Sequence, residues 1–208
     1  FSEGLARVRI GDKLGFIDKT GSVVINPQFD LAYSFSEGLA SVRIGDEWGF
    51  IDKTGAFVIN PQFDFAFSFS EGLARVRIGD RETGKWGFID KTGAFVINPQ
   101  FDETAAGRLM ADSFSDGLAP VRIGDDETGK WGFIDKTGSV VINPQFDDAF
   151  SFSEGLDAVR IGSSVSGKYG FIDKTGSVVI NPQFDSAFDF SEGLALVRID
   201  GRWGYIAR

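Results

Sequence analysis

Five aspartates occur in one repeated setting: Asp18, Asp52, Asp90, Asp135 and Asp173, each followed by Lys-Thr-Gly. Carboxylates can act as general acids, bases or nucleophiles, and pairs of them hydrolyse glycosides. The spacing points elsewhere, because an Asp just ahead of a Gly-containing turn normally hydrogen-bonds its own turn. The chain has no His and no Cys, which removes the commonest general base, the thiol nucleophile, the Ser-His-Asp triad and the usual Cys/His zinc site. The acidic stretches Asp80-Arg81-Glu82 and Asp125-Asp126-Glu127 lack the ligand spacing of a calcium loop and read as solvated hairpin tips. The 27 glycines belong to turns, with no strand-to-helix phosphate loop among them. We therefore expect no catalysis, no cofactor and no metal.

One arginine also recurs in every copy, as Arg9, Arg43, Arg77, Arg122, Arg160 and Arg198. Six such groups could gather an anion or an acidic peptide. If Gly45-Asp46 is a two-residue hairpin loop, however, Arg43 faces Trp48 and Ile44 faces Glu47. The same arithmetic sets Arg77 against Trp86 and Arg122 against Trp131. An Arg over an indole face gains roughly 0.5–1 kcal/mol where exposed, so packing explains the recurrence without a ligand.

The elements behind these residues are repeats. Phe-Ser-Glu-Gly-Leu begins at Phe1, Phe35, Phe69, Phe114 (with Asp116 for Glu), Phe152 and Phe190, at spacings of 34, 34, 45, 38 and 38 residues. Trp-Gly-Phe-Ile-Asp-Lys-Thr-Gly follows at Trp48, Trp86 and Trp131; Leu14 and Tyr169 take the Trp slot in two copies, and the last copy reads Trp203-Gly204-Tyr205-Ile206. Val-Ile-Asn-Pro-Gln-Phe-Asp then ends at Asp30, Asp64, Asp102, Asp147 and Asp185. Within residues 35–68 we read four short strands: Leu39–Ile44, Trp48–Asp52, Ala56–Ile59 and the aromatic run Phe63–Phe69. Pro61, which cannot donate to a ladder, is expected to end the third. No window holds a helical period free of Gly and Pro. Extra residues fall where turns are expected, at Arg81–Gly84, Asp126–Gly129, Ser164–Gly167 and Glu103–Ser113. The whole of 1–208 is read as a single repeat domain, with units of about 1–34, 35–68, 69–113, 114–151, 152–189 and an incomplete 190–208.

Composition fits a folded body, with 42% hydrophobic residues, 25% charged and 22 Phe. A net charge of −9 argues against nucleic acid and against an anionic membrane surface as partners. No apolar run approaches the roughly 20 residues a membrane helix needs. The compartment is not set by these features. The chain opens inside a repeat phrase without an initiator Met, as expected of an excised or processed piece.

Lys85-Trp86-Gly87-Phe88-Ile89-Asp90-Lys91-Thr92-Gly93, followed by Val96-Ile97-Asn98-Pro99 and Phe114-Ser115-Asp116-Gly117-Leu118-Ala119, resembles the WG-repeat family of bacteria. The match runs through all six copies. The resemblance implies a repeat array used within larger bacterial proteins, and it implies no catalytic residues. For the fold we expect an all-β, propeller-like arrangement of short antiparallel meanders; an open β-solenoid of stacked meanders is the alternative.

Recurrent residues are accounted for by turns and packing, so a partner-specific surface would use those that differ between copies. They are Leu31, Phe65, Glu103, Asp148 and Ser186, with the insertion residues Arg108, Leu109 and Met110. The leading expectation is a non-enzymatic scaffold for a protein or peptide partner, with self-association through the incomplete last unit. The alternative is a lectin-like module offering one weak ligand site per repeat.

Overall fold

A computed structural model describes residues 1–102, 113–124 and 128–208. Its described residues form short antiparallel sheets and no helix. The first sheet is β1 (Leu5–Ile10), β2 (Lys13–Asp18) and β3 (Val23–Phe29). The second is β4 (Leu31–Ala32), β5 (Ala40–Ile44), β6 (Glu47–Ile51) and β7 (Phe57–Phe63); the third is β8 (Phe65–Ala66), β9 (Ala74–Ile78), β10 (Lys85–Ile89) and β11 (Phe95–Asp102). The fourth is β12 (Leu118–Ile123), β13 (Lys130–Asp135) and β14 (Val140–Phe146). The fifth is β15 (Asp148–Ala149), β16 (Leu156–Ile161), β17 (Lys168–Asp173) and β18 (Val178–Phe184); the sixth is β19 (Ser186–Ala187), β20 (Leu194–Ile199) and β21 (Arg202–Ala207). Within each sheet the strands follow sequence order, and none closes on itself. The chain divides into two compact units, Phe1–Glu103 and Thr104–Arg208.

The sheets are out of phase with the sequence repeat. The aromatic run yields only a two-residue strand, not the full strand from Phe63 to Phe69 that its alternation suggests. That strand leaves its own unit and pairs with the next: Phe65 lies opposite Arg77 and Ala66 opposite Val76. The flanking amides extend the attachment, with Asp64 N–H donating to Arg77 O (3.1 Å) and Phe67 N–H to Arg75 O (3.0 Å). Each such sheet is therefore begun by one repeat and completed by the next.

Pro61 does not end its strand. Strand β7 runs through it to Phe63 by a bulge: Trp48 faces Phe63, Phe50 faces Ile59 and Ile51 faces Phe57, with register shifts between them. The bulge places Pro61 where its missing N–H is not asked for a ladder bond. It also explains the glycine after the Trp. A Cβ on Gly49 would lie 2.6 Å from both Ile59 O and Pro61 N, and one on Gly87 would meet Ile97 O at 2.6 Å and Pro99 N at 2.7 Å.

Ser-Glu-Gly-Leu makes a tight turn that the hydrophobic pattern does not announce. Ser36 and Leu39 exchange two backbone hydrogen bonds (2.9 and 3.1 Å), and Glu37 and Gly38 both take positive φ, 53° and 89°. Two left-handed residues in a two-residue loop match the twist of the strands they join.

The Trp-Gly-Phe-Ile strands are buried, and β6 is packed on both faces because its sheet lies between the first and the third. Phe50 packs with Phe63, Ala66, Phe69 and Val76 toward the third sheet, while Ile51 packs with Ile25, Phe29 and Phe35 toward the first. In the second unit Phe133 and Phe171 repeat the arrangement. Each of these Phe rings meets the Phe that opens the next repeat edge-on at 4.9 Å, as in Phe50–Phe69, Phe133–Phe152 and Phe171–Phe190.

Candidate interaction surface

The recurring aspartates are held by their turns. Asp52 Oδ1 accepts from Thr54 N–H (2.8 Å), the Thr54 hydroxyl (2.6 Å) and Ala56 N–H (3.1 Å). The Thr54 hydroxyl, with the turn amides, holds this carboxyl below the usual aspartate range. Asp18, Asp90, Asp135 and Asp173 are shifted the same way, each first by its own Thr hydroxyl. One oxygen of each, Oδ1, is engaged in a structural role.

The glutamates of Ser-Glu-Gly-Leu link neighbouring sheets. Glu3 accepts from Gly38 N–H (3.1 Å) and from Lys53 Nζ (3.0 Å), and Glu37 from Gly72 N–H (3.0 Å) and Lys91 Nζ (3.1 Å). The Lys53 hydrogen bond leads the causes that lower the Glu3 carboxyl's pKa. Left-handed backbone at a non-Gly residue is strained, and here it carries the carboxylate to the next repeat. Glu154 continues the series, accepting from Gly193 N–H (2.9 Å). The final copy places Arg208 where the others have Lys, and its guanidinium donates to Glu154 O (2.7 Å).

The arginines lie in cross-strand rows, at the register expected from hairpin arithmetic. Arg43 faces Trp48, Arg77 faces Trp86 and Arg122 faces Trp131. Guanidinium-to-ring distances are 5.6 Å for Arg77–Trp86 and for Arg198–Trp203, and 5.9 Å for Arg160–Tyr169. On the arginine's other side stands the residue that differs between copies: Leu31 opposite Arg43, Phe65 opposite Arg77, Asp148 opposite Arg160 and Ser186 opposite Arg198.

These variable residues occupy one structural position but not one environment. Leu31 is exposed and Ser186 half-buried. Phe65 is half-buried in an aromatic cluster, 4.9 Å from Trp48, 5.0 Å from Phe67 and 6.0 Å from Trp86. Asp148 is 2% exposed and accepts from the Tyr169 hydroxyl at 2.5 Å. Its side chain is interior, and the Tyr in the Trp slot supplies the donor a buried carboxylate needs. Glu103, Arg108, Leu109 and Met110 lie outside the described residues.

Asp157 is a second interior acid, in a slot where other copies have Ala. It is 0% exposed, and neither oxygen has a hydrogen-bond partner of good geometry. Burial, then the nearby Asp189 charge, pushes its carboxyl well above the usual range; the Phe150 and Ala158 backbone groups act weakly the other way. Asp189 keeps an exposed surface, and partial desolvation of its carboxyl raises it to about 6. Among the described residues no cluster of three or more acidic side chains has metal-binding geometry.

What remains at the surface is apolar and recurrent, a feature that sequence reasoning passed over. Val23-Val24, Phe57-Val58, Phe95-Val96, Val140-Val141 and Val178-Val179 are all between 38% and 54% exposed. They open the third long strand, which is the outer strand of each sheet that has one. The register shift at the second member leaves both partly exposed, Phe57 and Phe95 meeting Phe29 and Phe63 edge-on at 6.3 and 6.2 Å, and turns the following Ile inward, as Ile59 is. The available signal was two consecutive β-branched or aromatic residues ahead of Ile-Asn-Pro, out of step with strict alternation. A separate cleft of about 670 Å³ lies against β21, lined by residues including Val197, Arg202, Trp203, Gly204, Tyr205 and Ile206.

No curated protein sequence matches the chain. Among solved structures, it is similar to an uncharacterized protein from Listeria monocytogenes EGD-e, with 13% identity and a TM-score of 0.53, covering 93% of this chain and 69% of that one. It is also similar to the β-propeller domain of the Trilobed protease from Pyrococcus furiosus, described as having an open velcro topology, with 11% identity and a TM-score of 0.50, covering 98% and 76%. At these identities the likeness is one of fold, and it supports the propeller-like arrangement of meanders. The model of the WG containing repeat matches residues 15–48, 48–81, 86–125, 131–163 and 169–203, so the chain belongs to the WG-repeat family.

Proposed function

We propose that the chain is a non-enzymatic scaffold that holds a protein or peptide partner on the apolar pairs of its outer strands. The observation that carries this reading is their repetition: five pairs, all exposed, at one structural position. Recurrent exposed apolar surface marks an interaction site more than scattered single residues do. The chemistry-bearing side chains favour the same reading, since the turn aspartates are engaged in their own loops. The variable residues Leu31 and Ser186 stand at the opposite edge of their sheets and would tune partner choice there.

Peptide-display selection against the purified chain tests this. Enriched peptides should lose binding at least tenfold when Val24, Val58, Val96, Val141 and Val179 are all changed to Ser, with the thermal midpoint of the free chain little changed. Selection that enriches nothing, or peptides indifferent to the five changes, would sink the reading. Calorimetric titration with a glycan panel addresses the lectin-like alternative, which requires about one weak site per repeat.

A further inference from the structure

Three half-buried rings meet in the first unit, two of them at positions that differ between copies. Tyr33 stands 6.5 Å from Phe65 and 6.3 Å from Phe67, and Phe65 stands 5.0 Å from Phe67, with planes inclined by 60°, 40° and 53°. Two buried indoles lie against them: Tyr33 stacks on Trp48 and Phe67 on Trp86, each at 5.5 Å. Phe65 joins the two stacks, 4.9 Å from Trp48 and 6.0 Å from Trp86. In the second unit Asp148 holds the Phe65 slot, so the equivalent Phe150–Tyr169 pair (6.0 Å) gains no ring from it.

Arginines border this group. Arg75 lies 3.7 Å over Trp86 and 5.7 Å over Phe67, Arg77 lies 6.0 Å over Phe65, and Arg43 faces Trp48 across its hairpin. All three are half-buried. The Arg75 slot holds Ser41 in the preceding copy and Pro120 and Ala158 in later ones. Arg7, its counterpart in the first copy, donates instead to Ala32 O (2.6 Å). The acids that precede the Phe65 slot are engaged at the hairpins: Asp30 accepts from Lys13 Nζ (2.6 Å) and Gly45 N–H (2.9 Å), and Asp64 from Gly79 N–H (2.7 Å). A positive, aromatic patch therefore stands on a chain of net charge −9.

We propose that Tyr33, Phe65 and Phe67, with Arg43, Arg75 and Arg77, form a binding site for an acidic peptide segment that sets one aromatic side chain among the three rings. Rings tilted to one another receive a further aromatic ring edge-on. A guanidinium already held against an aromatic face loses little further freedom when its N–H fork takes a carboxylate. Aromatic and arginine side chains are also the ones that dominate the energetics of protein interfaces. The opposite charge of the arginine rim selects an acidic partner and rejects a basic one. The site lies at the short strands β4 and β8, the opposite edge of their sheets from the apolar pairs, so its failure leaves the scaffold reading standing.

The test titrates the peptide Glu-Glu-Phe-Glu-Glu into the full chain by calorimetry, beside Glu-Glu-Ala-Glu-Glu and Lys-Lys-Phe-Lys-Lys. Saturable one-to-one binding of the first is expected, weakened by salt, with the other two at least tenfold weaker. Phe65→Leu and Arg75→Ser each install the residue that the preceding copy holds, Leu31 and Ser41, so the fold accommodates both. Each should weaken binding at least fivefold, and only Arg75→Ser should also flatten the salt dependence. The variant with all five Val changed to Ser should bind the acidic peptide unchanged. The proposal is overturned by absence of saturation at millimolar peptide, by equal binding of the lysine peptide, or by affinity unchanged in both single variants. Tighter binding of polygalacturonate than of the acidic peptide would also overturn it by naming another occupant.

Discussion

The phrase Trp-Gly-aromatic-Ile is used to opposite effect in β6 and in β21. In β6, Trp48, Phe50 and Ile51 are packed between two neighbouring sheets and capped by the bulged β7. In β21, Trp203 and Tyr205 are largely exposed, and only Ile206 reaches the core beside Phe171 and Val197. The local sequence is nearly the same, so burial here is a property of the neighbours. A glycine required by a covering backbone in one place is merely tolerated in the other.

Large-to-small substitution separates the two regions most. Phe50→Ala should cost about 3–5 kcal/mol, as for other buried aromatics, whereas Tyr205→Ala should stay within about 0.5 kcal/mol; chemical denaturation of each variant measures both. The glycine pair comes next. Gly49→Val forces a Cβ into the backbone of β7 and should cost about 3 kcal/mol, while Gly204→Val should be close to neutral. Equal costs at the two glycines would show that β21 is covered in solution.

Asp157 contrasts with the alanines that fill its slot elsewhere, such as the buried Ala40 and Ala74. Asp157→Ala removes a buried carboxyl without a hydrogen bond of good geometry and should stabilise the second unit by about 1–3 kcal/mol. A loss of stability would mean that the carboxyl is paired in solution.

The smallest expected effect is on pH. Asp157 and Asp189 have raised carboxyls, Asp189 at about 6, so the folded state takes up protons before the unfolded chain does. Stability should rise as pH falls from 7 through 6. The turn aspartates are shifted down, so their contribution is present above the unfolded value of about 3.9 and is lost as pH falls below it. A thermal-midpoint series from pH 7 to pH 3 should pass through a maximum, and its rise should be reduced in Asp157→Ala.

Much of the architecture was legible because the repeat reports it many times. Turn aspartates, the Arg–Trp register and the all-β class each follow from local rules that need only a few residues. The apolar pairs were missed because they violate simple alternation, and only the register shift that pairs Phe50 with Ile59 but Ile51 with Phe57, leaving Val58 as an extra residue, makes sense of them. The burial of Asp148 was equally hidden, since its donor Tyr169 lies 21 residues away in the chain.

The sequence alone determined the repeat, the Asp-Lys-Thr-Gly turns and the Arg–Trp pairing of the first hairpin, because these are set by chirality, glycine placement and side-chain period over short distances. The exchange of the short strand between repeats was decided by tertiary structure. So was the burial of β6 on both of its faces. Each depends on which backbone lies alongside, and a strand's own residues do not specify whether that neighbour is present.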